Sequence, residues 1–254
     1  MPSVKSKLAA DLPIEDYAAS VSPRPREQVL AGRCRSRVGS PIEHCKAMTG
    51  SRPRLETSIR GHLGPMLKSD GFSGSGRTFR RVSGDFIHVV QVQGSRYGGR
   101  FAINLGIQPI CIPDCMAEVP NPKTIREEIC AFRRRLSESK GDQWWDHDAT
   151  KESMDLAVQR SAKVYATVGR RLFSEQSGPE APLHRVTPEQ FQAGFNFSGF
   201  ASTGARMARA LAMMRQFAGN LHDARAFARI ALASLGPAHG LCQELQLLLV
   251  DPPF

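Results

Sequence analysis

Residues 91–104 hold six side chains that can bind: Gln91, Gln93, Ser95, Arg96, Arg100 and Asn104. Amides donate and accept hydrogen bonds, and guanidinium forks grip anionic or planar acceptors. These residues lie on or beside two apolar runs, FIHVVQVQ and RFAINLGI. A glutamine inside an apolar strand costs free energy unless its amide is paired. Two explanations are open. The six residues form a hydrogen-bonding floor for an anionic or amide ligand, with the arginines as forks. Alternatively, they line a wet sheet face bordered by hairpin-loop arginines. Gln91 and Gln93 share a face at the strand period, but the place of Asn104 relative to them depends on register.

Trp144-Trp145 can stack a base, or can anchor a turn in the core. Arg133-Arg134-Arg135 can contact phosphates, but in a strand the middle one points away from the other two. Cys111 and Cys115 have neither a second cysteine pair nor a histidine at zinc-ligand spacing, so no metal site is expected. Gly71, Gly74 and Gly76 precede a strand and not a helix, which removes the phosphate-cradling logic of a glycine-rich loop. His88 sits in an apolar strand, and no nucleophile or acid is placed beside it by the sequence. No catalytic residues and no cofactor are expected.

The elements that would position these groups follow from period and punctuation. Leu55, Ile59, Leu63, Met66 and Leu67 recur at helical spacing, and Pro65 should kink or split that helix. Three strands are expected over 77–82, 85–93 and 100–107, joined by Ser83-Gly84 and by a Gly-rich hairpin loop over 94–99. The second of these reads as the longest and as central. Phe101, Ile103, Leu105 and Ile107 share one face; Ala102, Asn104 and Gly106 share the other. Residues 108–124 hold four prolines and read as a crossing loop, and CAFRRRL over 130–136 alternates as a possible fourth strand. A long helix over 149–173 presents Met154, Leu156, Val158, Val164, Val168 and Leu172. Beyond a linker at 177–182, the chain is helical. A short helix follows Thr187-Pro188 beside an aromatic cluster of Phe191, Phe195, Phe197 and Phe200. Helices over 204–218, 221–235 and 239–250 follow.

The expected fold class is α+β: an antiparallel sheet of three to five strands packed by helices, with a C-terminal helical extension. Three divisions are expected: a disordered basic leader over 1–54, an α+β domain over 55–178 and a helical extension over 179–254. The chain has 254 residues and a net charge of +10. Residues 1–54 carry 10 Lys and Arg against 5 Asp and Glu; residues 55–254 carry 24 against 19. Half of the excess therefore sits in the leader, where Pro, Gly, Ser and Arg dominate and no apolar face forms. Met48 offers a second possible start, which would leave residues 1–47 out of the native product. No run approaches the roughly 18 apolar residues of a membrane span. The N-terminus lacks an apolar signal core. Six scattered cysteines fit a reducing cytoplasm better than a disulfide scaffold.

The order of Leu67 to Phe72, Gly76 to Arg81, Gln93-Gly94-Ser95-Arg96, Phe101 to Gly106, Cys130 to Leu136 and Asp142 to Trp145 resembles the bacterial family catalogued as domain of unknown function 4304. The resemblance covers roughly residues 55–175; it implies the fold and no reaction. Leu211, Gly219, Ala224, Ala231 and Leu232 are weakly similar to one unit of a tetratricopeptide repeat, and an ordinary helical hairpin packed on the main domain is the favoured reading of them. The expected function is a cytoplasmic binding or protein-interaction module without catalysis. The alternatives are a nucleic-acid-associated protein using the basic leader, and an enzyme whose active site the sequence does not name. Another protein is the expected partner, nucleic acid is open through the leader, and no membrane contact is expected.

Overall fold

The computed structural model describes residues 54–250 except 114–117, 140, 179, 196, 198 and 236–238; of 239–241 it describes the backbone alone. The expected leader, apart from Arg54, and Cys115 lie outside the described residues.

The first helical run carries Leu55, Ile59, Leu63 and Leu67 on one buried stripe. It is built from α1 (Leu55–Ser58), a π-helical turn (Ile59–Leu63) and α2 (Gly64–Ser69). Pro65 has no N–H to give to the carbonyl four residues back, and the widened turn lies immediately before it. Gly71, with φ of 83°, ends the run, and Phe72 drops into the core.

The sheet comprises β1 (Ser73–Ser75), β2 (Thr78–Ser83), β3 (Phe86–Gly94), β4 (Arg100–Pro109), β5 (Phe132–Arg135) and β6 (Trp145–Asp146). All pairings are antiparallel in the order β1-β2-β3-β4-β5, with β6 joining β4 beyond the end of β5. The ambiguous CAFRRRL segment is thus a strand. The glycine-rich stretch before β2 is an edge hairpin: a Cβ on Gly74 would lie 2.4 Å from the Thr78 carbonyl oxygen. The longest strand is β4 and not β3, and both are inner strands.

One sheet face carries Phe79, Phe86, Val90, Val92, Phe101, Ile103, Leu105, Ile107 and Phe132, all buried. Helices cover this side. α3 (Lys151–Val164), a π-helical turn (Tyr165–Gly169) and α4 (Arg170–Ser177) replace the expected single helix. The Thr150 side chain caps α3 by accepting from the Ser153 N–H. Leu156 departs from expectation and is 53% exposed. It lies two positions past Met154, roughly 200° round the helix axis, so Ala157, Ala162 and Tyr165 complete the buried face instead.

The remaining helices are α5 (Pro182–Arg185), α6 (Pro188–Gln192), α7 (Gly204–Phe217), α8 (Leu221–Ser234) and α9 (His239–Leu247). Thr187 and Gln190 form a capping box at the start of α6. α7 and α8 pack along each other as a hairpin through buried Ala208, Leu211, Ala224 and Phe227. Phe200 meets Phe132 of β5 at 5.5 Å, joining this region to the sheet. One buried apolar cluster runs from Leu55 to Leu245. Among the described residues, no helix is long and apolar enough to cross a membrane.

Candidate functional site

The second sheet face carries the polar candidates, and register decides what each can do. Gln91 stands opposite Asn104, and Asn104 opposite Arg135; Gln93 stands opposite Ala102. Gln91, Gln93, Asn104, Arg133 and Arg135 therefore share one face, with Arg134 on the other.

That face is divided. Over its middle, a strap formed by residues 118–131 covers a small apolar cluster of Ile87, Val89, Ile125 and Cys130. The strap is tied down by strand side chains. Arg80 donates to the carbonyls of Ile125 and Thr124. Gln91 accepts from the Glu127 N–H at 3.3 Å and donates to the Glu128 carboxylate at 3.0 Å. Gln108 accepts from the Ala131 N–H at 2.7 Å and donates to the Ile112 carbonyl at 2.8 Å. Arg133 pairs with the buried Glu127 carboxylate at 2.8 Å, and that hydrogen bond holds the Arg133 pKa above its usual value. Gly106 is needed here, because a Cβ at that position would lie 2.7 Å from Cys130 Sγ. Burial, with Glu127 beside it, pushes the Cys130 thiol pKa well up, so it is an unreactive thiol. Gln91 thus satisfies its amide within the protein and is a loop anchor.

The hairpin end is different. Gln93 Oε1 accepts from Asn104 Nδ2 at 2.8 Å and from Arg135 Nη2 at 3.1 Å. Arg135 Nε donates to Asn104 Oδ1 at 3.2 Å, and Nη1 to Asp142 at 2.8 Å. With three acceptors holding its edge, the Arg135 guanidinium lies 4.9 Å from the Trp144 ring centre. Arg100 reaches the same ring at 5.1 Å. In the loop, Ser95 accepts from the Tyr97 N–H, and Arg96 lies 4.6 Å from the Tyr97 ring centre while donating to its hydroxyl. Neither Arg96 nor Arg100 has a carboxylate partner among the described residues. The two tryptophans divide the roles expected of them. Trp145 is 5% exposed and stacks on Phe101 at 5.7 Å, whereas Trp144 is half-buried beside the arginines.

The six predicted residues are therefore not one floor. Gln93 and Asn104 meet each other and Arg135, which is also held by Asp142, and Arg135 and Arg100 lie beside Trp144. Ser95 and Arg96 sit in the adjoining loop, and Gln91 belongs to the strap. The parity of Arg135 with Asn104 was the one available signal for Arg135, and it needed the register of a strand that the sequence left ambiguous.

The helix-covered face holds a second polar group that the sequence did not place. Arg81 Nε donates to His88 Nδ1 at 3.0 Å, so the ring proton lies on Nε2 and is given to Ser177 Oγ at 2.6 Å. Ser177 in turn donates to the Phe173 carbonyl. The imidazole is a donor to the serine and not its base, so this pair is not set up for nucleophilic attack. Burial, then the Arg81 charge, pushes the His88 pKa down to about 3. Arg81 also donates to the Asp70 carbonyl oxygen, while the Asp70 carboxylate accepts from Tyr165 at 3.0 Å and pairs with Arg170 at 2.7 Å. Burial alone would raise the Asp70 pKa; the hydrogen bonds from Arg170 and Tyr165 outweigh it and hold the pKa low.

Among the described residues, no group of three or more His, Cys, Asp or Glu side chains is placed to hold a metal. The fold and face together define an α+β protein whose antiparallel sheet has one helix-covered face and one face half roofed by a strap. Residues 63–170 match the family described as a domain of unknown function (DUF4304). That match includes every candidate residue named above on the polar face. No curated protein and no solved structure matches the chain at a significant level.

Proposed function

We propose that the protein is a binding module without catalysis, and that the hairpin end of the polar face captures an anionic group of its partner. The supporting observation is the set of guanidiniums around Trp144. Arg135 is fixed by Gln93, Asn104 and Asp142, while Arg100 and the neighbouring Arg96 have no carboxylate partner among the described residues. Arg100 lies beside the ring with no carboxylate on it among the described residues, so its N–H edge can meet an incoming anion. The direction of the His88 to Ser177 hydrogen bond supports the non-catalytic reading, because it leaves the serine without a base. A cytoplasmic setting is part of the proposal. The free thiols of Cys111, Cys130 and Cys242 suit a reducing compartment.

The test compares retention of the full chain on a heparin column with that of an Arg96→Glu, Arg100→Glu double variant. The expected result is elution at clearly lower salt than a control with Arg206→Glu and Arg229→Glu, both exposed on α7 and α8. Equal elution of the two double variants would refute the reading.

A further inference from the structure

We infer that the partner is a single-stranded nucleic acid, whose bases stack beside Tyr97 and Trp144 while its phosphates meet Arg96, Arg100 and the basic face of α3. This rests on the proposed anionic capture and names the class of partner. Three observations favour it over an acidic protein segment.

The first is Tyr97. It is 78% exposed, in a loop whose following glycines, Gly98 and Gly99, have φ of 74° and 69°. Those glycines let the loop turn tightly and lift the ring away from the core. An acidic segment needs cations and gains little from that ring, whereas every nucleobase has a face to stack.

The second is continuity. Trp144 also lines an open cleft of about 330 Å³ at the sheet edge, between β6 and α3, together with Arg160 and Lys163. Arg160 and Lys163 are three apart on α3 and so project from neighbouring positions. Cations and aromatic rings thus continue from the loop past Trp144 to α3, a track suited to an extended chain and longer than one anion requires.

The third is the polar complement. Gln93 is exposed, and its Nε2 donates to no described residue, which leaves an amide donor for a base edge. Glu138 and Asp146 also line the cleft and can accept from exocyclic amino groups, as acidic side chains do with cytosine.

The experiment uses the full chain and fluorescence anisotropy with an oligothymidine of about 12 nucleotides, inside the site sizes usual for such surfaces. The comparison probes are the matching duplex and an oligoglutamate peptide of similar charge. Tyr97→Ala, Trp144→Ala and Arg100→Ala should each weaken oligothymidine binding about fivefold or more. Arg206→Ala, an equal loss of charge elsewhere on the surface, should leave it unchanged. With Arg96, Arg100, Arg160 and Lys163 engaged, the slope of log affinity against log salt owed to this face should be about −3. Binding should also quench Trp144 emission, a signal that persists in the exposed-loop variant Tyr97→Ala only in proportion to occupancy.

Oligothymidine binding that is indifferent to Tyr97→Ala and Trp144→Ala overturns the inference, because the contact then lies elsewhere in the chain. No oligothymidine binding also overturns it. If the oligoglutamate peptide is captured through Arg96 and Arg100 in either case, anionic capture survives and only the partner class is wrong. If no probe responds to Arg96 or Arg100, both readings fall.

Discussion

His88 offers the sharpest test of the structure, because its environment fixes both the sign and the size of a pH effect. The ring is 1% exposed, stacks on Phe173 at 4.4 Å and already accepts a hydrogen bond at Nδ1 from the Arg81 cation. A second proton would have to displace that donor and place two positive charges together. The folded pKa is accordingly lowered to about 3 from 6.5. Between those values the unfolded chain binds a proton that the folded chain refuses. Stability from this group is therefore full above the unfolded value and is lost as pH falls below it. The slope approaches about 1.4 kcal/mol per pH unit, and because the unfolded ring is half protonated at pH 6.5 the loss between pH 6.5 and pH 4.5 is about 2.3 kcal/mol. The nearby Asp70 carboxylate, held low by the hydrogen bonds from Arg170 and Tyr165, stays ionised across that window. Urea melts should be run from about pH 7 down to about pH 4.5 on the native chain and on His88→Asn, which keeps an acceptor near the Nδ1 position. The variant starts less stable, having lost the stack on Phe173, but its stability should fall with acid less steeply by the amount given. The lowered His184 pKa contributes equally to both proteins and cancels in the difference. Equal slopes for the two proteins, or a His88 ring that titrates near its ordinary value by NMR, would refute the reasoning.

The tryptophans should separate by stability: Trp145→Ala should cost about 3–5 kcal/mol as a core truncation. Trp144→Ala should cost only about 1–2 kcal/mol, for its two cation–ring contacts; a thermal melt that reverses this order would place the rings wrongly. Arg96→Ala should stay within about 0.5 kcal/mol of the parent in denaturant melts, as for other exposed positions. Gln93→Ala should lose about 1–3 kcal/mol, because it strands the amide of Asn104, which is 7% exposed. Gln91→Ala and Gln108→Ala should each loosen the strap, seen as faster hydrogen exchange at the Glu127 and Ala131 amides; unchanged protection in both would show that the strap holds without them.

The fold was legible where period and punctuation agreed. The alternation of Phe101, Ile103, Leu105 and Ile107 announced a buried face, and the structure buries all four. The Ser83-Gly84 and Gly98-Gly99 breaks announced hairpins, and all three glycines take positive φ. The site was less legible, for a physical reason. What a polar strand residue does depends on which residue lies across from it, and register is a long-range property. Gln91 and Gln93 look alike in the sequence. One is consumed by a strap more than thirty residues further on, and the other by an arginine on a strand that the alternation of CAFRRRL only suggested. Likewise Ser177 meets His88 across 89 positions, and no local pattern reports such a contact.

These pairings determine where a partner can approach. The strap seals the middle of the polar face with an apolar cluster and an inward-pointing carboxylate, Glu127, so that half of the face is already occupied. At the far edge, β5 is engaged as well: the Ala201 N–H donates to the Arg133 carbonyl at 2.7 Å. What remains open is the hairpin end, where the internal network uses up Arg135 but leaves the Arg100 and Arg96 guanidiniums without acids among the described residues. The network makes Arg135 part of a rigid support for Trp144 and not itself the anion fork. Arg135→Lys should therefore damage binding indirectly, by releasing the ring, since an ammonium cannot reproduce the planar fork that meets Gln93, Asn104 and Asp142 together. Arg100→Lys, at a position that needs only charge near the ring, should retain most of the capture. If Arg100→Lys proved the more damaging of the two, the roles assigned to these arginines would have to be exchanged.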